Sequence, residues 1–515
     1  MRTRPAPVSN TATIARNSFW FGLELAFSIG TALITSIIVA RVIGPQRLDH
    51  YNYIVWLTNV TTTLGSFGLP LTTAKYMAEC LNRGERGIAR SIYRMGLKLQ
   101  LLLAGAIVAV GLVLVLLAGD PSHRAVSVLL VVAMLPRMMT LIPSQANLAA
   151  ELMRRNTAPS LISGFLNVGL TWVSLWIGWG LYGVAGAVVA GATLEVVLKL
   201  RAVNSWLGTA EPAAIPSELK DRMFSYSGKG LILMLLNVVV WDRSDLVILK
   251  ALNHIPGQVT FFSLSFNFSE RLLMIPNTFG GSLAATMMAQ YGRGRERLPI
   301  LTVAGAKYTF LLALPLLIGM ASVSRPLVHL ILGPAYDGMI PVLAIASVMA
   351  IPKALITAPT SLLQTTEKQK ILIWIGCVCG ALDIALDILL TPGYGARGAA
   401  LANGIAQTTA AVTIWWQVQR RFQLDLKLGE FGRIAVCGLI MAAAATATWR
   451  VIPGVPGLAL SIITGAVVWF VMLRLFRAID RLDAERLLQI GKVLPERMRR
   501  IYRHLVDMLA APASV

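Results

Sequence analysis

Apolar residues in this chain run in long blocks, and polar ones gather in the short breaks between them. Stretches of twenty or so residues with hardly a charge recur from about Phe19 to Leu473. A helix rises 1.5 Å per residue, so about 20 such residues cross the hydrocarbon core of a bilayer. The blocks predict fourteen transmembrane helices, at 18–41, 50–73, 95–118, 125–149, 158–178, 181–203, 226–250, 257–289, 299–321, 326–358, 370–391, 396–418, 431–451 and 455–474. Segment 326–358 is too long for one straight span and holds Gly333, Pro334 and Pro341, so an elbow is expected first and the span proper from about 340. Pro136, Pro276, Pro352 and Pro359 fall within or at the ends of other spans, where neighbouring helices re-satisfy the freed backbone groups. An all-α polytopic membrane protein is expected.

The pattern repeats. At an offset of 209 or 210, Asn82-Arg83-Gly84-Glu85-Arg86-Gly87 aligns with Gly292-Arg293-Gly294-Arg295-Glu296-Arg297, and Gly96-x-Lys98 with Gly305-x-Lys307. At 216, Pro136-Arg137 aligns with Pro352-Lys353, Pro143 with Pro359, Glu151 with Glu367 and Arg154 with Lys370; at 212, Tyr182-Gly183 aligns with Tyr394-Gly395. Six spans per copy is an even number, so the two copies share one orientation and are expected to face each other around a central cavity. The predicted organisation is an amino-terminal segment 1–17, a six-helix lobe 18–203, a linker 204–225, a second six-helix lobe 226–418, two additional helices within 431–474, and a tail 475–515. In the tail, apolar residues from Leu487 to Met508 recur at helical spacing between Arg497, Arg499, Arg500 and Arg503. That pattern suits a basic amphipathic helix on an anionic leaflet, or one that docks a partner.

Charge sets the orientation. With the amino terminus inside, 34 of the 46 Lys and Arg fall in cytoplasmic segments, while the opposite loops hold 7: Arg41, Arg47, Arg124, Lys250, Arg325, Arg397 and Arg450. Positive residues near span ends resist transfer, so both termini are expected in the cytoplasm. The net charge of +21 then reports topology and attraction to membrane lipids, and no nucleic-acid partner is expected. Four cysteines exclude a disulfide framework, and neither metal-ligand spacing nor a phosphate-binding loop G-x-x-x-x-G-K-[ST] occurs, so no cofactor is expected. Residues 1–17 lack the apolar core of a cleavable leader.

Ala40-Arg41-Val42-Ile43-Gly44-Pro45, Gly333-Pro334-x-Tyr336, Leu363-Gln364-Thr365-Thr366-Glu367-Lys368-Gln369-Lys370 and Pro392-Gly393-Tyr394-Gly395-Ala396-Arg397-Gly398-Ala399-Ala400 occur in order along residues 15–420. With the span count, they resemble the landmarks of bacterial polysaccharide-unit flippases. These are the Wzx-type members of the multidrug/oligosaccharidyl-lipid/polysaccharide exporter superfamily. The resemblance implies a non-enzymatic carrier in the bacterial inner membrane. It would move undecaprenyl-pyrophosphate-linked oligosaccharide, destined for O-antigen or exopolysaccharide, between leaflets by alternating access. A polysaccharide polymerase and glycosyltransferases are the implied partners. The same superfamily contains multidrug antiporters and peptidoglycan-precursor flippases, which stay open as alternatives. A membrane glycosyltransferase is disfavoured because every outside loop is short.

The spans carry ionic groups that need partners, since a charge at the bilayer centre costs on the order of 2.5–3.5 kcal/mol on insertion scales. Arg137 and Lys353 occupy equivalent positions in the two repeats with no acid within a turn, so a phosphate headgroup is the expected partner of both. Snorkelling, or pairing with an acid across the bundle, is the alternative. Arg271 beside Glu270 is a further substrate contact to consider. Glu24, Ser28, Thr31 and Thr35 form a polar stripe along the first span, expected to line the cavity or to be buried against a neighbouring helix. Glu195 is expected to pair with Lys199 one turn on, and Lys98 and Lys307 to reach the cytoplasmic interface.

Asp242 and Asp245 on the seventh span, and Asp383 and Asp387 one turn apart on the eleventh, concentrate acid in the second lobe. Clustered carboxylates in low dielectric resist joint ionisation, so these four are the expected cation-coupling residues, for H⁺ or Na⁺, unless Arg243 and other cations neutralise them. Flippases resembling this one often carry Asn where Asp383 and Asp387 stand. The first-lobe equivalents, Asn167 and Thr171, are uncharged, so any coupling is asymmetric.

Overall fold

The computed structural model describes residues 11–241, 245–291, 298–366 and 368–479. Every regular element among them is helical. In chain order these are α1 (Thr11–Ile43), α2 (Pro45–Gly65), α3 (Leu69–Asn82), α4 (Arg86–Ala118), α5 (Arg124–Ala149), α6 (Arg154–Trp176), α7 (Gly180–Leu207), α8 (Ser217–Trp241) and α9 (Asp245–Leu252). There follow α10 (Gln258–Tyr291), α11 (Leu298–Ser322), α12 (Ser324–Ile331), α13 (Met339–Met349), α14 (Ile351–Thr365), α15 (Gln369–Tyr394), α16 (Ala396–Phe422), α17 (Leu428–Val451) and α18 (Gly454–Leu475). Ten of the fourteen expected spans fall on helices long and apolar enough to cross a membrane. The other four fall on α2–α3, α8–α9, α10 and α16. The protein is a multi-pass membrane protein. The amphipathic tail pattern lies outside the described residues, as do Gly292–Arg297 of the repeat, Asp242 and Arg243.

Backbone chemistry explains the breaks. Segment 50–73, expected as one span, is cut at Ser66–Gly68, where Phe67 and Gly68 take φ of 54° and 69° and α3 restarts with Pro70 in its first turn. Gly44, at φ 83°, ends the first span, and Pro45 opens α2 with its ring preset for the first helical turn. The elbow within 326–358 is real: α12, a 3₁₀ turn at Pro334–Tyr336 and α13–α14 replace one straight helix, with membrane-length structure from Met339 to Thr365.

The chain divides into two compact units, Met1–Arg243 and Ser244–Val515. In the first, α5 packs on α4 and α7, α6 on α7 and α1, and α3 on α4. The sequence pattern starts the second lobe at 226, whereas α8 packs on α2 and α3. Ser227 donates to the Phe67 carbonyl at 2.6 Å, Lys75 lies 4.0 Å from the Tyr226 ring centre, and Met223 joins the core of Tyr76, Ile92 and Ile142. In the second unit α10 packs on α11, α13 and α14, and α15 lies along α16.

The helices α17 and α18 pack on each other, and α17 packs on α11 through Phe310, Leu314, Ile434, Cys437 and Met441. Lipid offers little hydrophobic gain for such contacts, so close packing has to supply the attraction. Gly438 permits it, since a Cβ there would lie 2.7 Å from Leu314.

Candidate functional site

The second unit gathers acid. Asp245 opens α9, and α9 packs on α15, α10 and α16. Asp383 and Asp387 are four residues apart on α15, hence on one face. The turn between α15 and α16 holds this arrangement: Gln258 Oε1 accepts the Ala396 N–H at 2.8 Å, and Asn253 Nδ2 donates to the Thr391 carbonyl at 3.4 Å. One carboxylate oxygen from each of Asp245, Asp383 and Asp387 lies within 4.8 Å of the others, and all three residues are buried.

Compensation inside the cluster is sparse. Asn403 Nδ2 donates to Asp245 Oδ2 at 3.1 Å, and Gln407 Nε2 donates to Asn403 Oδ1 at 2.7 Å. Asp245 Oδ1, Asp383 Oδ1, both Asp387 oxygens and the Thr391 hydroxyl are buried without a hydrogen-bond partner among the described residues. No Lys or Arg nitrogen of the described residues comes within 4.0 Å of the three carboxylates. Two full charges this close repel by roughly 3.5 kcal/mol or more at an effective dielectric of about 20. Buried oxygens lacking donors and grouped at this spacing suit a small hard cation or a shared proton. The three sequence-predicted acids that fall among the described residues therefore form one cluster. Asp242 lies outside the described residues.

Lys353 does not stand alone. Its Nζ lies 3.5 Å from Glu270 Oε1, so it has an acid across the bundle, which was the alternative to a phosphate partner. The pair faces a narrow crevice lined also by Phe266, Ser269, Asn403 and Gln407. Arg271 is half-buried on α10 beside Glu270 and is itself engaged. In the first unit Arg137 donates to Asn59 Oδ1 at 3.0 Å and has no carboxylate within 4.0 Å among the described residues.

Glu24 turns toward α6, where Ser160 Oγ is 2.8 Å from its Oε1 and 3.1 Å from Glu195 Oε1, and Thr157 Oγ1 is 3.3 Å from its Oε2. Glu24 is thus packed against a neighbouring helix, while Ser28 of the same stripe is exposed. Thr31 and Thr35 bond back to the carbonyls of Phe27 and Thr31. Glu195 pairs with Lys199 at 2.7 Å, as its spacing implies.

Lys307 is buried and paired with Glu430 in the first turn of α17, while Lys98, its repeat equivalent, is exposed. Asn403, Gln407 and Thr391 are the site residues that sequence reasoning missed. Two amides four residues apart in an otherwise small and apolar span were the available signal.

This geometry has relatives. Residues 38–341 match the family described as polysaccharide biosynthesis protein. The chain belongs to that family. Among solved structures, the fold resembles lipid II flippase MurJ in an inward closed conformation, with TM-score 0.68 and 14% identity, over 88% of this chain and 97% of that one. It also resembles an inward-facing multidrug resistance MATE transporter of the MOP superfamily, with TM-score 0.66 and 14% identity over 76% and 93% of the two chains. A third is a MOP superfamily transporter from Pyrococcus furiosus, with TM-score 0.58 and 14% identity over 79% and 95%. No curated protein matches the chain. The polysaccharide biosynthesis protein thus has the MOP fold, and the neighbours that share it are flippases and transporters rather than enzymes.

Proposed function

We propose that this polysaccharide biosynthesis protein carries undecaprenyl-pyrophosphate-linked oligosaccharide units from the cytoplasmic to the periplasmic leaflet of a bacterial inner membrane by alternating access. In this reading a cation, Na⁺ or H⁺, binds at Asp245, Asp383 and Asp387 and drives the cycle. The observation that carries it is the buried carboxylate cluster, which meets no Lys or Arg among the described residues, in a chain of this family. Desolvated acids that served only packing would be matched by Lys or Arg, as Glu430 and Glu195 are elsewhere in the molecule.

Arg137 and Lys353 are the proposed headgroup contacts. The first has only a neutral amide as its recorded partner, and the second has a long bond to one acid. Both can therefore exchange their present partner for a phosphate, a stronger charge-assisted acceptor. The Lys and Arg asymmetry supports placing both termini in the cytoplasm.

The test is depletion of the protein followed by a leaflet-resolved assay of lipid-linked oligosaccharide. Accumulation on the cytoplasmic leaflet is expected. Unchanged lipid-linked sugar together with new drug sensitivity would replace this reading with drug export.

A further inference from the structure

Asn403 and Gln407 sit one turn apart on α16, 6% and 8% exposed, and they bridge two features of the second unit. At one end is Asp245 of the acid cluster; at the other is the crevice shared by Lys353 and Glu270. Two buried amides in series are costly unless each finds partners, so their arrangement is constrained.

The chemistry of the end group fixes its direction. An ionised carboxylate only accepts hydrogen bonds, so Asn403 must present its NH₂ to Asp245 Oδ2. Its own Oδ1 is then left to accept, and Gln407 Nε2 fills it at 2.7 Å. Gln407 is left with its carbonyl oxygen for the crevice it lines. Along this chain a negative charge at Asp245 leaves a hydrogen-bond acceptor for the crevice that Lys353 also lines. The ammonium of Lys353 is held only at 3.5 Å from Glu270, and its side chain is 27% exposed, so it can respond.

We propose that Asn403 and Gln407 are positioning residues that transmit the state of the acid cluster to Lys353. This rests on the cation-site reading above. With the cluster unoccupied, Gln407 turns its oxygen to the crevice and draws the Lys353 ammonium toward α16. A cation at the cluster takes up the charge of Asp245, weakens its hold on Asn403, and relaxes the constraint on Gln407. Lys353 is then available to an anionic headgroup. Cation and headgroup occupancy become linked, and by reciprocity each raises the affinity for the other.

The test uses the full chain in lipid nanodiscs, with farnesyl pyrophosphate as the headgroup probe. Affinity is measured in sodium and in choline buffers, and again across pH, so that the two cations are separated. Cation binding is read independently as the shift in melting temperature. The wild-type affinity is expected to change on the order of fivefold or more with the effective cation. Gln407→Met keeps the melting shift and brings the affinity ratio to about one. Gln407→Glu, which can only accept, holds Lys353 and gives weak binding in both buffers.

A Gln407→Met protein that keeps the wild-type ratio overturns the relay and leaves the cation site standing. A merely structural role predicts that outcome, with a lower melting temperature throughout. Wild-type protein with no cation-dependent melting shift overturns the cation site, and the relay with it.

Discussion

Lys307 on α11 donates to Glu430 on α17 at 2.5 Å, and the pair joins two helices that are 123 residues apart in the chain. Lys427 adds a second contact to the same acid at 3.3 Å. The ammonium is buried while the acid keeps about a fifth of its side-chain exposure, so each half of the pair behaves differently on removal.

Glu430→Ala removes the acid that the buried Lys307 ammonium meets at 2.5 Å. A loss of about 1–3 kcal/mol is expected, below the fully buried limit because the acid is partly exposed. It should appear as a lower melting temperature in detergent. The double variant Lys307→Met with Glu430→Met should recover most of the loss, since neither charge then needs solvation.

Neutralising the acid cluster should have the opposite sign on stability. Asp387→Asn removes one of three mutually repelling groups, so the melting temperature is expected to rise while transport falls. The same variant should lose whatever sodium or pH dependence transport shows. Unaltered dependence in Asp383→Asn, Asp387→Asn and Asp245→Asn alike would remove the cluster from the coupling mechanism.

A charge swap separates the two roles of Lys353. Lys353→Glu with Glu270→Lys keeps the pair but moves its cation to α10. If Lys353 serves only to match Glu270, flux of lipid-linked oligosaccharide in proteoliposomes should survive the swap. The expected result is flux reduced at least about tenfold, a difference of roughly 1.4 kcal/mol in barrier.

Gly395 is expected to tolerate no side chain. It has φ of 55° at the α15–α16 turn, and a Cβ would lie 2.6 Å from Gln258 Oε1, the atom that accepts from Ala396. Gly395→Ala should cost about 1–3 kcal/mol through backbone strain. Because that turn positions Asp387 and Thr391, the variant should also weaken any cation-dependent shift in melting temperature.

The expectations that held were those a one-dimensional pattern can carry. Glu195 and Lys199 are neighbours on a helix by spacing alone, and Asp383 and Asp387 share a face for the same reason. Asp245, 138 residues before Asp383, meets them only because α9 packs on α15. The polar stripe of Glu24 was legible as a stripe, but its neighbour was not. Ser160 lies 136 residues away, and nothing in the local sequence says that α6 packs on α1.

Lys98 and Lys307 make the division plain. They are equivalent by repeat, so the sequence alone assigned them one fate, an interface. Sequence by itself determined the membrane solvent, ten of the fourteen span positions, the internal repeat and the residues whose charge required an answer, because apolar length and charge spacing are properties of a line. Only the tertiary structure decided which charge meets which, since Lys307 meets Glu430 while its counterpart is exposed, and Asn403 reaches Asp245 across 158 residues. A buried charge is neutralised by what lies a few ångströms away, and in a helical bundle that neighbour comes from another helix.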